Sequence, residues 1–328
     1  MFSIRVTFKG WLCLLALISA AAPAVAADAP QTRVARWKGD AKAAFLLMFD
    51  DNTPSQARNA IPEMKKRGFT GTFYVCPNKK GLWTPAWQKE IPASGMVLAN
   101  HTMNHEFVPD LPALEKELAA CNEALYAIYS DRPRPFLLSF GKPGTNPPLK
   151  LTDKQIQSVL PKYHLVDRGP FLGAAIHYKT GKAMIAAVDK AIAAGSAGYI
   201  VFHGVGGDWI SAPLPDFIEL LDYLAAKRDQ VWVTDHISSH KYDVEQKTAK
   251  AAVVTSGADK IELTLTSQAD PKLYDQPLTL ITPVPASWRK CQVTQGKRKA
   301  TVDVVDGAVR YEALPGPERI ALAPAETR

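Results

Sequence analysis

Seven consecutive apolar residues, 43–49, run directly into Asp50-Asp51-Asn52. A run that short, apolar on both parities, predicts a strand buried on both faces. Ala57, Ile61 and Met64 then follow at helical spacing, and Gly68 closes the segment as a C-terminal helix glycine would. The alternation continues along the chain. Strands are predicted at 70–75, 96–99, 136–140, 198–202 and 231–233. Helices are predicted at 111–129, 152–160, 181–194 and 215–226. Strands that alternate with helices imply a parallel sheet, and six such units point to an α/β barrel more than to an open doubly wound sheet. Near Tyr242 the pattern changes. Residues 261–266 alternate with period two, further strand signals lie at 277–281, 301–304 and 309–311, and Asp306-Gly307 is a hairpin signal. A small all-β, sandwich-like C-terminal domain over 244–328 is the expectation.

The amino terminus reads differently. Arg5 and Lys9 precede an apolar stretch over 11–22, and Ala24 and Ala26 form an A-x-A cleavage site. This pattern predicts a signal peptide, 1–26, then a polar tether, 27–40, and a secreted or periplasmic protein. No later stretch reaches 18 consecutive apolar residues, so no stable membrane span is expected after cleavage. Downstream of the signal the chain keeps Cys76, Cys121 and Cys291, none in C-x-x-C spacing. Buried free thiols and a single Cys76–Cys121 bridge both remain open.

The 328 residues carry a formal charge of +7. The basic and acidic residues are interleaved, and no run of five Lys/Arg occurs, so the charge reads as a mildly basic surface and no nucleic-acid partner is expected. The Gly, Pro and charged content excludes collagen-like, coiled-coil and disordered classes.

The chemistry gathers where strands end. In parallel α/β architectures the site lies at the carboxyl ends of the strands, and four of these end in polar residues: Asp50-Asp51, Asn100-His101 through His105, Phe140-Gly141-Lys142, and His203-Gly204. His101 and His105 are four apart, so one helical turn would place both imidazoles on one side. Two His and one Asp leave positions open for water and substrate on a hydrolytic metal. Asp51 can be the third ligand and Asp50 the general base. A second pair, His236 and His240, shares the spacing and also follows a strand, so spacing alone leaves both pairs open. Asp50-Asp51 also suits a helix N-cap.

The ordered set Phe49-Asp50-Asp51-Asn52, His101-x-x-x-His105, Ser139-Phe140-Gly141 and Val201-Phe202-His203 resembles the polysaccharide deacetylases of carbohydrate esterase family four over about residues 41–243. The resemblance implies a distorted (β/α)7 barrel and a metal-dependent hydrolase, usually with zinc, that removes acetyl groups from chitin, peptidoglycan or acetylxylan. Carried over, Asp50 is the base, Asp51, His101 and His105 hold the metal, His203 is the acid, and the Phe140 N–H helps to hold the oxyanion. Three departures stand out. Asn52 occupies a position usually held by Gly. The Arg that opens the third motif is missing, with Lys142 or Arg168 as replacements. For the Asp that tunes the acid His, Asp167 is the candidate. Trp83, Trp87 and Trp209 could stack on sugar rings, and Asp208 could accept sugar hydroxyls. An acetylated glycan is the expected partner. The competing readings are a catalytically silent carbohydrate binder, favoured by the missing Arg, and a hydrolase of a small non-sugar amide.

Overall fold

The computed structural model describes Met1 and residues 31–325. The expected signal peptide therefore lies outside the described residues. Residues 31–325 belong to a single compact unit.

Seven parallel strands make the first sheet: β2 (Ala43–Asp50), β3 (Thr72–Val75), β4 (Val97–Asn100), β5 (Leu138–Phe140), β6 (Leu165–Asp167), β7 (Ala197–Phe202) and β8 (Val231–Thr234). Their order is β6-β5-β4-β3-β2-β7, with β8 paired to the first half of β2. The chain after β6 returns to β7 through a parallel bridge between Gly173 and Val201, and Val201 N–H donates to Leu172 O at 2.9 Å. This contact closes the ring into a distorted α/β barrel. Helices α1 (Ile61–Lys66), α2 (Pro85–Gln88), α3 (Glu90–Ala93), α4 (Leu111–Ile128), α5 (Asp153–Val159), α6 (Gly181–Ala194) and α7 (Leu214–Ala226) occupy the connections, and α8 (His236–Thr248) follows β8.

Strand alternation explains how the barrel places its chemistry. In β2 every residue is buried. Phe45, Leu47 and Phe49 join the core under the helices, whereas Leu46 and Met48 pack inside the barrel with Tyr74, Ala99 and Val201. Successive side chains on a strand point to opposite faces. Extending the inward parity to the carboxyl end of each strand or one residue past it reaches Asp50 after Met48, His101 after Ala99 and His203 after Val201. Three strands that each feed apolar residues to the lumen thus deliver their next inward residue to one mouth.

A second, antiparallel sheet has the order β1-β11-β14-β13-β12-β15-β10-β9. Its strands are β1 (Arg33–Val34), β9 (Lys250–Ser256), β10 (Ile261–Thr266), β11 (Leu278–Pro283), β12 (Lys290–Gln295), β13 (Arg298–Val305), β14 (Ala308–Ala313) and β15 (Gly316–Pro324). β13 pairs with β12 over most of its length and with β14 at its end, so the sheet folds over a core that includes Leu263, Leu280, Trp288 and Leu322. The hairpin forms at Asp306-Gly307, both at positive φ (51° and 72°).

Two expectations about domain organisation need correction. Residues 31–40, read as tether, are part of the fold: β1 pairs with β11, and Trp37 is buried with its indole N–H on Gly195 O at 3.0 Å. The polar composition masked this because only two residues pair and a single Trp anchors them. The boundary at 243/244 falls inside α8, whose Tyr242 is fully buried in the second core beside Ala44 of β2. The three described cysteines are free and buried. Among the described residues no helix is long and apolar enough to cross a membrane.

Candidate metal and catalytic site

A cavity of about 780 Å³ opens at the carboxyl ends of the strands, and Asp50, Asp51, His105, Phe140, Arg168, His203 and Trp209 are among the residues that line it. The backbone bends sharply where β2 ends. Asp51 has φ 73° and Asn52 φ 40°, a region that Asn and Asp tolerate better than most residues. The Asn52 amide oxygen accepts the Cys76 N–H at 3.0 Å, which ties the turn to the end of β3. Asn therefore sustains the positive-φ turn at a position where the resemblance expects Gly. The bend brings Asp51 round to the mouth that Asp50 already faces.

His101 and His105 converge by a different route from the one expected. Residues 101–105 are not helical; Thr102 and His105 sit at φ 65° and 56°, and the Thr102 hydroxyl accepts the His105 N–H. The loop folds the two rings to 5.0 Å between centroids. His101 Nδ1–H donates to Gly141 O at 2.7 Å, which leaves Nε2 free to face Asp51 Oδ1 at 3.6 Å. His105 Nε2 lies 3.0 Å from the same oxygen. Burial pushes the His101 pKa down to about 4, so its imidazole is neutral at physiological pH, which is the form that ligates metals.

The donor atoms of Asp51, His101 and His105 lie within 4.8 Å of one another, the one such group of three among the described residues. Asp51 Oδ1 is buried and has no hydrogen-bond partner there. A buried carboxylate oxygen without a partner is costly, and here two imidazole nitrogens face it. The residues fit a divalent cation.

Asp50 is buried and held by a two-pronged grip. Arg168 Nη2 donates to Oδ2 at 2.8 Å and Nη1 to Oδ1. Burial alone would raise the Asp50 pKa, but Arg168, His101 and His203 outweigh it and hold it below the usual range. Arg168 thus stands where the missing third-motif Arg would act, reaching the base from the end of β6 instead of from β5. Its N–H donates to Phe140 O at 2.9 Å, and its guanidinium stacks 4.5 Å over Tyr74. Gly141 makes the space, since a Cβ there would lie 3.0 Å from Arg168 Cζ. Lys142 points away and pairs with Asp153 at the rim, 2.8 Å. Sequence reasoning did not find β6, because three residues carry no periodicity.

His203 Nε2 lies 3.9 Å from Asp51 Oδ2, its ring meets Phe171 edge-on, and Nδ1 is buried with no partner among the described residues. Asp167 does not serve that nitrogen; its carboxylate accepts from Gln157 Nε2 and the Gly169 N–H. Phe140 lines the cavity with its ring fully buried.

The sugar-binding expectations fare unevenly. Trp87 is 2% exposed and packs on Phe73, so it belongs to the core. Trp83 is partly buried against that core and does not line the cavity. Asp208 accepts the Ser55 N–H at 2.6 Å and braces the β2–α1 connection. Only Trp209 lines the cavity, and its indole N–H donates to Asp51 Oδ2 at 2.7 Å. His236 and His240 lie on α8 and belong to no group of three candidate metal ligands among the described residues. His236 Nδ1 shares a hydrogen bond with Ser139 Oγ at 2.7 Å, and burial pushes its pKa down to about 3.

Comparison with known proteins adds a family. Residues 38–157 match the family model "Polysaccharide deacetylase", a span that contains Asp50, Asp51, His101, His105 and Phe140 and ends before Arg168 and His203. The chain is 24% identical, over 89% of its length, to a gellan lyase of a Bacillus species, of which it spans only 13%. Similar solved structures include a family 4 carbohydrate esterase of Streptomyces lividans (18% identity, 60% of this chain and 94% of that one, TM-score 0.45). A peptidoglycan deacetylase of Bacillus subtilis (17%, 61% and 90%, TM-score 0.41) and a family 4 pseudoenzyme of Bacillus anthracis (14%, 60% and 65%, TM-score 0.42) are also similar. The family resemblance in the sequence is borne out by the family-model match, which spans residues 38–157.

Proposed function

We propose that this protein is an exported, metal-dependent hydrolase that removes N- or O-linked acetyl groups from a polysaccharide or oligosaccharide. The observation that carries the reading is the pairing of two adjacent carboxylates with different surroundings. Asp51 presents an unpartnered oxygen to two imidazoles, while Asp50 is gripped through both oxygens by Arg168. One carboxylate is equipped to ligate and its neighbour to stay ionised and oriented. Asp51, His101 and His105 would hold the divalent ion, with zinc as the proposed metal. Bound there, the ion supplies Lewis-acid polarisation of the acyl carbonyl.

The chain's own residues divide the remaining work. Asp50, fixed by the Arg168 fork, takes the proton of the attacking water. His203, across the mouth, gives a proton to the departing nitrogen or oxygen, without which an amine leaves poorly. The buried Phe140 and the partly buried Phe171 exclude bulk water, which strengthens each charge interaction inside. The silent-binder alternative rested on a missing Arg, and Arg168 removes that support. The match to a gellan lyase supports a polysaccharide as the substrate class. A signal peptide over 1–26 would place the enzyme outside the cytoplasm, where such polymers occur.

The test is acetate release from a panel of acetylated glycans by chelator-stripped protein, with and without added zinc. Zinc-dependent release is expected, and the ranking of substrates names the glycan. Release from a small amide but from no glycan would replace this reading with the small-amide hydrolase.

A further inference from the structure

Asp51 has two oxygens, and the proposed metal reading uses one of them. The other, Oδ2, is engaged from two sides. Trp209 Nε1–H donates to it at 2.7 Å, and Lys79 Nζ stands 3.6 Å away, over the face of the Trp209 ring at 5.0 Å from its centroid. The sequence suggested Trp209 as a sugar platform. Its N–H points instead at the carboxylate beneath.

The loop that carries Trp209 is built to hold that N–H in place. Asp208 and Ile210, on either side, have φ 64° and 47°. Positive φ is a genuine outlier for a β-branched residue such as Ile and persists only where the surroundings enforce it. They do. Gly204 N–H donates to Trp209 O at 3.0 Å, Gly206 N–H to Ala212 O at 2.8 Å, and Gly207 N–H to Ser211 Oγ at 2.9 Å. A side chain at Gly204 would collide with Gly207 O at 1.9 Å. The loop is also cross-locked to the segment that bears Asp51. Ser55 N–H donates to Asp208 Oδ2 at 2.6 Å, Ser55 Oγ–H to Gly207 O at 3.1 Å, and Val205 N–H to Ser55 Oγ at 3.1 Å. Trp209 is 39% exposed, but a stacking platform alone would need no strained loop braced against the carboxylate's own segment.

We infer that Trp209 and Lys79 are positioning residues that clamp Oδ2 of Asp51 and hold this carboxylate to one-oxygen ligation of the metal. The inference rests on the metal reading of the same site. A carboxylate free to turn can offer both oxygens and fill a coordination position that water or substrate needs. With Oδ2 bonded to an indole N–H and facing an ammonium, only Oδ1 is presented. The two donors also fix the orientation in which Oδ1 meets the ion, so the ligand is pre-organised and binding the ion costs less ordering. Neither residue touches the reacting atoms; both act through Asp51.

The test compares zinc affinity, by competition with a chromophoric chelator, in the wild type, Trp209→Phe, Lys79→Met and Lys79→Arg, alongside kcat and KM for acetate release. Trp209→Phe keeps the ring and removes the N–H. It should weaken zinc binding by about 10- to 100-fold and lower kcat with KM nearly unchanged. Lys79→Met should weaken zinc binding less, and Lys79→Arg should restore it. If Trp209→Phe bound zinc as the wild type does while KM rose, Trp209 would be a substrate platform and the clamp would be wrong. If the wild type itself took up no zinc, the metal reading would fail first, and the clamp with it; that failure shows before any variant is made.

Discussion

His101/His105 and His236/His240 have the same spacing, and each pair follows a barrel strand. The first pair sits on an irregular loop with two residues at positive φ, facing a carboxylate oxygen that nothing else satisfies. The second sits on a regular helix, its rings 6.4 Å apart; His236 bonds to Ser139 Oγ, and His240 Nε2 reaches Tyr274 Oη at 3.4 Å. In the first pair the backbone is strained and a polar atom is left without a partner. In the second the backbone is relaxed and the rings are engaged by hydroxyls. Unresolved polar demand, not spacing, separates a metal pair from a packing pair.

The sharpest way to break this comparison is to truncate each pair in turn. His101→Ala should abolish zinc binding and turnover, whereas His236→Ala should leave zinc affinity unchanged. The cost at His236 should fall on stability instead, on the order of 1–3 kcal/mol, because Ser139 Oγ loses a buried partner. Zinc titration and thermal melts of both variants check this. Equal loss of zinc would mean that the second pair contributes to the centre.

A smaller effect should follow at Arg168. Lys cannot copy a two-pronged grip, so Arg168→Lys should lower kcat about 100-fold, within the range a positioned base supplies, and leave zinc bound. Steady-state kinetics with metal analysis decides it; undiminished kcat would show that Asp50 does not need the fork.

The smallest effect concerns α8, which joins the two sheets. Glu245 is buried there, accepts the Gln276 N–H at 3.0 Å, and burial pushes its pKa up to about 7 from an ordinary value near 4.5. The folded state therefore holds a proton that the unfolded chain releases. This contribution is fully present below about pH 4.5 and is lost as pH rises through about 7. Glu245→Gln should flatten that decline in Tm between pH 5 and 7; an unchanged slope would assign the decline to other groups.

Much of this site was legible in the sequence because strand parity is simple. Met48 to Asp50, Ala99 to His101 and Val201 to His203 are steps of two, and each lands at the same end of a parallel barrel. The residues that were left open or misread depend on longer-range geometry. Arg168 meets Asp50 across 118 positions, from a strand too short to show a period. Trp87 and Trp209 are the same residue type, yet Trp87 packs from α2 into the core and Trp209 donates to Asp51. The turn over 101–105 replaced an expected helical turn because Thr102 and His105 adopt left-handed backbone that no pattern of apolar residues announces. β1 went unseen because two residues and a buried Trp37 suffice to dock it.

The central claim is that Asp50 and Asp51, neighbours in the chain, divide base and ligand between them. The direct measurement is zinc stoichiometry and acetate release on the same preparation of Asp50→Asn. One zinc bound with wild-type affinity, and turnover reduced about 1,000-fold, would bear the division out. Retained turnover, or loss of zinc with Asp51 intact, would contradict it.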